Sequence, residues 1–183
     1  REINKPLPQE PLVFLKPPTA ALAHKGNIII PAMSGRVDYE AELGLVIGKP
    51  AKNIEPEAAY SYILGATCFN DVTARDLQTK DGQWTRAKSF DTFAPFGPCL
   101  ATGLNYDNLS IELLLNGETR QRSNTSDFIF NVGQLVSFIS QVMLLNPGDI
   151  IATGTPSGIG SMSPGDVVQV KIQDVGVLEN YVI

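Results

Sequence analysis

The chain has 183 residues, 43% of them apolar and 18% charged, with a formal net charge of −5. These are globular values, with length enough for a real core and none of the composition of disorder. The acidic balance, with no Lys/Arg cluster, excludes a nucleic-acid footprint, and no apolar run reaches the length of a bilayer crossing.

The chain opens on Arg1 rather than Met, so a preceding segment is expected. Residues 1 to 11 are polar and proline-punctuated. Leu12-Val13-Phe14-Leu15 predicts a short strand stopped by Lys16-Pro17-Pro18. His24-Lys25-Gly26-Asn27 predicts a turn with His24 as a solvated loop residue, and Ile28-Ile29-Ile30 follows it.

Arg36 to Gly48 separates cleanly at period 2, as a strand does. Val37, Tyr39, Ala41, Leu43, Leu45 and Ile47 make one apolar face. Asp38, Glu40, Glu42, Gly44, Val46 and Gly48 make the other. Glu40 and Glu42 fall about 7 Å apart on one side of the strand. At an effective dielectric of about 20 their repulsion is roughly 2 kcal/mol, which a covered sheet face carries only with a cation between them. A solvated edge strand is the other explanation. Glycines along that face argue against it, because glycine inside a strand marks a close approach of backbone or ligand.

Glu55 to Tyr60 predicts a short helix with Pro56 in its first turn. Tyr62 to Asn70 predicts a buried strand with Asp71 at its end. Thr73-Ala74-Arg75-Asp76 has the capping-box form and opens a helix that stops by Gly82. Arg75 and Gln78 share one face of that helix. Asn116-Gly117 predicts a hairpin between Ser110–Leu115 and Glu118–Arg122. Val132, Leu135, Val136, Ile139, Val142 and Met143 lie at helical spacing and predict core positions of a helix ending before Pro147.

The last third reads as strands over Asp149–Thr153, Asp166–Ile172 and Val177–Val182. Strands outnumber helices and do not alternate with them, so the expected class is mainly β with short helices (α+β). Thr153-Gly154-Thr155-Pro156-Ser157-Gly158-Ile159-Gly160 is neither a Walker loop nor a dinucleotide fingerprint. It offers backbone N–H groups and hydroxyls at a strand's end, either a cradle for a small anion or a plain turn.

Composition limits the metals. With a single histidine, His24, and two isolated cysteines, Cys68 and Cys99, zinc and iron sites lack their usual donors. Any metal is held mainly by oxygen, which leaves Mg²⁺, Mn²⁺ or Ca²⁺. The cysteines are expected as reduced thiols of a cytoplasmic or organelle-matrix protein.

Taken together, Phe14-Leu15-Lys16-Pro17, Asp38-Tyr39-Glu40-Ala41-Glu42-Leu43, Asn70 to Gln78, Lys88-Ser89-Phe90-Asp91, Asn124-Thr125-Ser126-Asp127 and Thr153 to Gly158 resemble the fumarylacetoacetate hydrolase family. The motifs stand in the family's order over nearly the whole chain. The small single-domain branch of acylpyruvases, oxaloacetate decarboxylases or tautomerases, and isomerase/decarboxylases is the most similar.

The resemblance implies one catalytic domain over residues 1–183, a mixed rolled β-sheet and a homodimer. It implies Glu40, Glu42 and Asp71 as ligands of Mg²⁺ or Mn²⁺, and Arg75, Gln78, Lys88 and Thr155, with Gly154 beside it, as contacts to substrate or metal-bound water. It also implies a lid glutamate, matched by Glu2, whose partner histidine would precede Arg1; His24 does not match that position. The expected activity is metal-dependent C–C hydrolysis of 3-acylpyruvates, or decarboxylation or tautomerisation of oxaloacetate, through an enolate, with Lys88 and Glu2 catalytic. The alternatives are a 2-hydroxyhepta-2,4-diene-1,7-dioate isomerase/decarboxylase, with Arg36 or Lys16 meeting a second carboxylate at the far end of the pocket, and a non-catalytic Ca²⁺-binding β module.

Overall fold

A computed structural model describes residues 7–183. In chain order the strands are β1 (Ala21–Leu22), β2 (Asn27–Ile28), β3 (Val37–Tyr39), β4 (Ala41–Ile47), β5 (Ile63–Asn70), β6 (Thr73–Ala74), β7 (Ala94–Ala101), β8 (Ser110–Leu115), β9 (Glu118–Asn124), β10 (Ile150–Ala152), β11 (Gly160–Met162), β12 (Val167–Ile172) and β13 (Gly176–Val182). The helices are α1 (Arg75–Asp81), α2 (Thr85–Lys88) and α3 (Val132–Val142), with 3₁₀ turns at Pro18–Ala20, Pro56–Tyr62 and Thr125–Asp127. Among the described residues no helix is long and apolar enough to cross a membrane.

Two five-stranded sheets, ordered β1-β7-β5-β4-β10 and β2-β13-β12-β8-β9, pack face to face, and a three-stranded sheet β11-β3-β6, in which β3 precedes β4, carries α1 and α2. Pairing is antiparallel except for β1 with β7 and β2 with β13, so the sheets are mixed and curl around one core, as expected. The apolar side of β4, with Ala41, Leu43, Leu45 and Ile47 fully buried, faces that core together with Leu113, Val168, Val170 and Leu178. The hairpin forms at Asn116-Gly117, both residues at positive φ (54° and 81°), which is the primed-turn geometry matched to strand twist.

The stretch from Arg36 to Gly48 is two strands rather than one. The chain changes sheets at Glu40, where side chains replace the ladder: Glu40 N–H donates to Asn70 Oδ1 (2.9 Å) and Ala41 N–H to Gln121 Oε1 (2.9 Å). The glycines on the polar side of β4 do mark close approaches, to protein rather than to ligand. A Cβ on Gly44 would stand 3.0 Å from Thr67 Cγ2, and one on Gly48 3.0 Å from Leu64 Cβ.

Among the described residues Leu12–Leu15 joins no ladder. It runs as an extended strap between prolines, with Leu12 and Leu15 exposed and Phe14 and Lys16 turned inward. Of the Ile28–Ile30 run only Ile28 is in a strand. His24 is half-buried, its Nδ1 accepting from Glu179 N–H (3.0 Å), so it is a structural residue. The capping box expected at Thr73 does not form, because Thr73 lies in β6 and its hydroxyl donates to the Asp71 carbonyl (2.8 Å).

A capping box does open α3, between Asn131 and Gln134. The buried stripe of α3 is Val132, Gly133, Val136, Ser137 and Ser140, while Val142 is exposed. Small residues let α3 sit directly on the Pro56–Tyr62 turn, and a Cβ on Gly133 would stand 2.6 Å from the Pro56 carbonyl oxygen. Gly133→Ala is therefore expected to cost about 1–3 kcal/mol in a urea melt, although alanine favours helix. An unchanged or raised urea midpoint would show that this approach is not tight.

Candidate metal centre

Asp71 stands where β5 ends, Glu40 at the break between β3 and β4, and Glu42 second in β4. Strand pairing sets Ala41 opposite Asn70, so the end of β5 delivers Asp71 beside the two glutamates, and Asp71 N–H donates to the Glu40 carbonyl (2.9 Å). One carboxylate oxygen from each of the three lies within 4.8 Å of the others. All three groups are buried, at 6% (Glu40), 4% (Glu42) and 1% (Asp71) exposure, which rules out a solvated acidic face.

Bases surround the trio. Lys88, at the end of α2, donates through Nζ to Glu40 Oε2 (3.0 Å) and to Asp71 Oδ2. Lys16 Nζ donates to Asp71 Oδ1 (2.5 Å) and to the Val72 carbonyl (3.0 Å). Arg75, first in α1, reaches Glu40 Oε1, Asp38 Oδ2 (2.9 Å) and Gln78 Oε1 (2.6 Å). Arg36 donates through Nε and one terminal nitrogen to the two Asp38 oxygens (2.8 and 3.1 Å). The Phe14 ring lies 4.9 Å and the Trp84 ring 6.0 Å from Lys88 Nζ, so an aromatic wall covers the ammonium.

The charges are unequally served. Burial pushes the Glu42 carboxyl well up, with Asp71 and Glu40 adding repulsion and, among the described residues, only the Gly154 N–H (2.8 Å) donating to it. Burial also raises Glu40 despite Lys88 and Arg75. Burial acts to raise Asp71 too, but Lys16 and Lys88 outweigh it and hold that carboxyl below the usual range. Burial acts to lower Lys88, and the pull of Asp71 and Glu40 raises it instead. Lys16 stays lowered, because burial and neighbouring Lys88 outweigh Asp71.

This arrangement fits a divalent cation. Three buried oxygen donors converge, two of them raised by burial, and among the described residues no histidine or cysteine joins the set. That is the donor chemistry of Mg²⁺, Mn²⁺ or Ca²⁺.

The structure brings Glu40, Glu42, Asp71, Arg75, Gln78 and Lys88 together and sets the Gly154–Thr155 loop against them. Glu2 lies outside the described residues. The Gly154 N–H is committed to Glu42, so that donor serves a carboxylate rather than a free ligand. Lys16 and Arg36, expected at the far end of a pocket, sit on Asp71 and Asp38 instead.

Sequence reasoning missed Gln121 and Asn70. Gln121 joins β4 to the glycine loop, and Asn70 supports Glu40 with Oδ1 while its buried Nδ2 has no partner among the described residues. An asparagine directly before the strand-end aspartate was the available signal for the second. A buried glutamine on the otherwise largely exposed β9 left none.

The family model "Fumarylacetoacetate (FAA) hydrolase C-terminal" matches residues 1–183, and the chain belongs to the fumarylacetoacetate hydrolase family. It is 43% identical over 195 residues to the mitochondrial oxaloacetate tautomerase FAHD2A of Bos taurus, covering all of this chain and 62% of that protein. Among solved structures it is similar to 5-carboxymethyl-2-hydroxymuconate delta-isomerase from Mycobacterium smegmatis (TM-score 0.95, 45% identity, 96% of this chain and 70% of that one). It is also similar to fumarylpyruvate hydrolase from Pseudomonas aeruginosa in complex with Mn²⁺ and pyruvate (TM-score 0.90, 34% identity, 96% of this chain and 80% of that one).

Proposed function

We propose that this chain is a divalent-metal-dependent enzyme acting on 2-oxo acids, with Glu40, Glu42 and Asp71 holding Mg²⁺ or Mn²⁺. Its reaction is the tautomerisation or decarboxylation of oxaloacetate, the hydrolytic cleavage of 3-acylpyruvates, or both. Residues 1–183 act as one catalytic domain in this reading, and two copies assemble as a homodimer. The observation that carries it is the charge of the cluster. Asp38, Glu40, Glu42 and Asp71 face Arg36, Lys16, Arg75 and Lys88, four acids against four bases. A divalent cation leaves that set with two positive charges in excess, which a dianion such as oxaloacetate cancels in a dry site.

The cation would supply Lewis-acid stabilisation of negative charge developing on the 2-oxo oxygen. The protein's own groups do the rest. Arg75, oriented by Asp38 and Gln78, presents a guanidinium to a carboxylate. Lys88 holds the substrate's other oxygen or moves a proton to the enolate carbon. Phe14 and Trp84 keep water from the Lys88 ammonium. Hydrolysis also needs a base to activate water, the role we assign to Glu2. The relative named an oxaloacetate tautomerase and the structure holding Mn²⁺ with pyruvate support this chemistry. The relative named a muconate isomerase supports a second reading, a 2-hydroxyhepta-2,4-diene-1,7-dioate isomerase/decarboxylase, since that substrate is also a dianion.

Stripping the protein with EDTA is expected to remove turnover, and Mn²⁺ or Mg²⁺ to restore it, when oxaloacetate, acetylpyruvate and the heptadienedioate are followed by NMR. The ranking by kcat/KM names the reaction. Full turnover after EDTA would remove the metal from the account. No turnover of any of the three with metal present would leave a non-catalytic Ca²⁺ module.

A further inference from the structure

We propose that Gln121 is a positioning residue that fixes the Thr155 hydroxyl as a hydrogen-bond donor to the carboxylate of a bound 2-oxo acid. This rests on the reading above that such an acid binds beside Glu42. Gln121 is 1% exposed, on a strand whose neighbouring residues are open to solvent. All its side-chain bonds are accounted for by chemistry that admits one orientation of the amide. Oε1 accepts from the Ala41 N–H (2.9 Å), between Glu40 and Glu42. Nε2 donates to Thr155 Oγ1 (2.9 Å) and to the Pro156 carbonyl (2.9 Å). An N–H cannot accept, so the Thr155 hydroxyl cannot turn its proton toward Gln121. The proton is left for another acceptor, and the loop that carries it lies against the trio, because the preceding residue, Gly154, donates to Glu42 Oε2. The loop is seated for this contact, since a Cβ on Gly158 would stand 2.3 Å from the Arg120 carbonyl oxygen of β9. One buried amide thus joins the ligand strand to the loop and gives the loop's hydroxyl its polarity.

The test is calorimetric binding of pyruvate to the Mn²⁺-loaded protein, with Thr155→Val, Gln121→Glu and the double variant. A hydrogen bond to a charged group corresponds to roughly ten- to a hundredfold in affinity. Thr155→Val should lose that much. Gln121→Glu turns the donor into an acceptor that captures the Thr155 proton, and should lose a similar factor. The double variant should lose no more than Thr155→Val alone, with Mn²⁺ affinity in the absence of pyruvate unchanged by Thr155→Val. Should a buried glutamate prevent folding, Gln121→Met is neutral, of similar length, and carries the same expectation of non-additivity. Losses that multiply in the double variant, or a Gln121→Met protein that binds pyruvate normally, overturn the assignment. Failure of the unaltered Mn²⁺-loaded protein to bind pyruvate would instead overturn the proposed function, and this inference with it.

Discussion

Glu42→Gln is expected to raise the melting temperature of the metal-free protein while abolishing its response to Mn²⁺. In the absence of metal the Glu42 carboxyl is pushed well up by burial, with Asp71 and Glu40 repelling its charge. A carboxyl raised on folding contributes stability that is present below its unfolded pKa, near 4.3, and lost as pH rises through the folded value. At neutral pH the wild-type group is therefore a liability that an uncharged amide removes, and the variant's stability should vary less across that window. With metal the order reverses. A ligand at a hundredfold excess over its Kd stabilises by about 2.7 kcal/mol, or roughly 5–11 °C for a chain of this length. Wild type should gain that shift and Glu42→Gln should not, and its turnover of oxaloacetate should fall by at least about a hundredfold. Thermal melts with EDTA and with Mn²⁺ check both halves. Equal Mn²⁺ shifts in the two proteins would mean that Glu42 is no ligand.

Lys88→Met should do the opposite. Lys88 is buried and bridges Glu40 and Asp71, so its removal leaves two interior carboxylates short of positive charge. Breaking a buried pair in this way costs about 3–5 kcal/mol, or roughly 6–20 °C in melting temperature. The pH sign agrees. Burial acts to lower Lys88, but Asp71 and Glu40 raise it, so its contribution holds up to the ordinary lysine range and fades only as alkaline pH climbs through the raised value. Mn²⁺ should restore much of the loss, and shift the variant more than wild type, because no ammonium competes for Glu40 Oε2 and Asp71 Oδ2. Catalysis should not return with stability. Loss of a proton-transfer group lowers kcat by roughly 10²–10⁴. A metal-free variant that melts with wild type would show that Lys88 carries no such charge burden.

The sequence exposed this site because its ligands are local. Glu40 and Glu42 stand two residues apart, one in the break before β4 and one in β4, and Asp71 directly follows the next long strand, so the pairing of β4 with β5 brings the three close. The break at Glu40 was not legible. It is made by Asn70 and Gln121, 30 and 80 residues away, whose amides replace ladder bonds, and no local pattern records that. Lys16 was hidden for a similar reason. The strap over residues 12–15 has a strand's composition, but flanking prolines keep it from a ladder, and its inward residues, Phe14 and Lys16, meet partners far along the chain. In α3 the apolar spacing pointed to Val142, which is exposed, while the tight contact is made by Gly133, Ser137 and Ser140. Small residues are buried there because backbone approaches backbone, and hydrophobic periodicity does not register that.

Anomalous diffraction from crystals soaked in Mn²⁺ tests most directly whether one cation joins the three carboxylates. One strong peak is expected within coordination distance of an oxygen from each of Glu40, Glu42 and Asp71, with Lys88 Nζ moved off the shared oxygens. A cluster that stays metal-free at saturating Mn²⁺, with Lys88 still seated between Glu40 and Asp71, would contradict it.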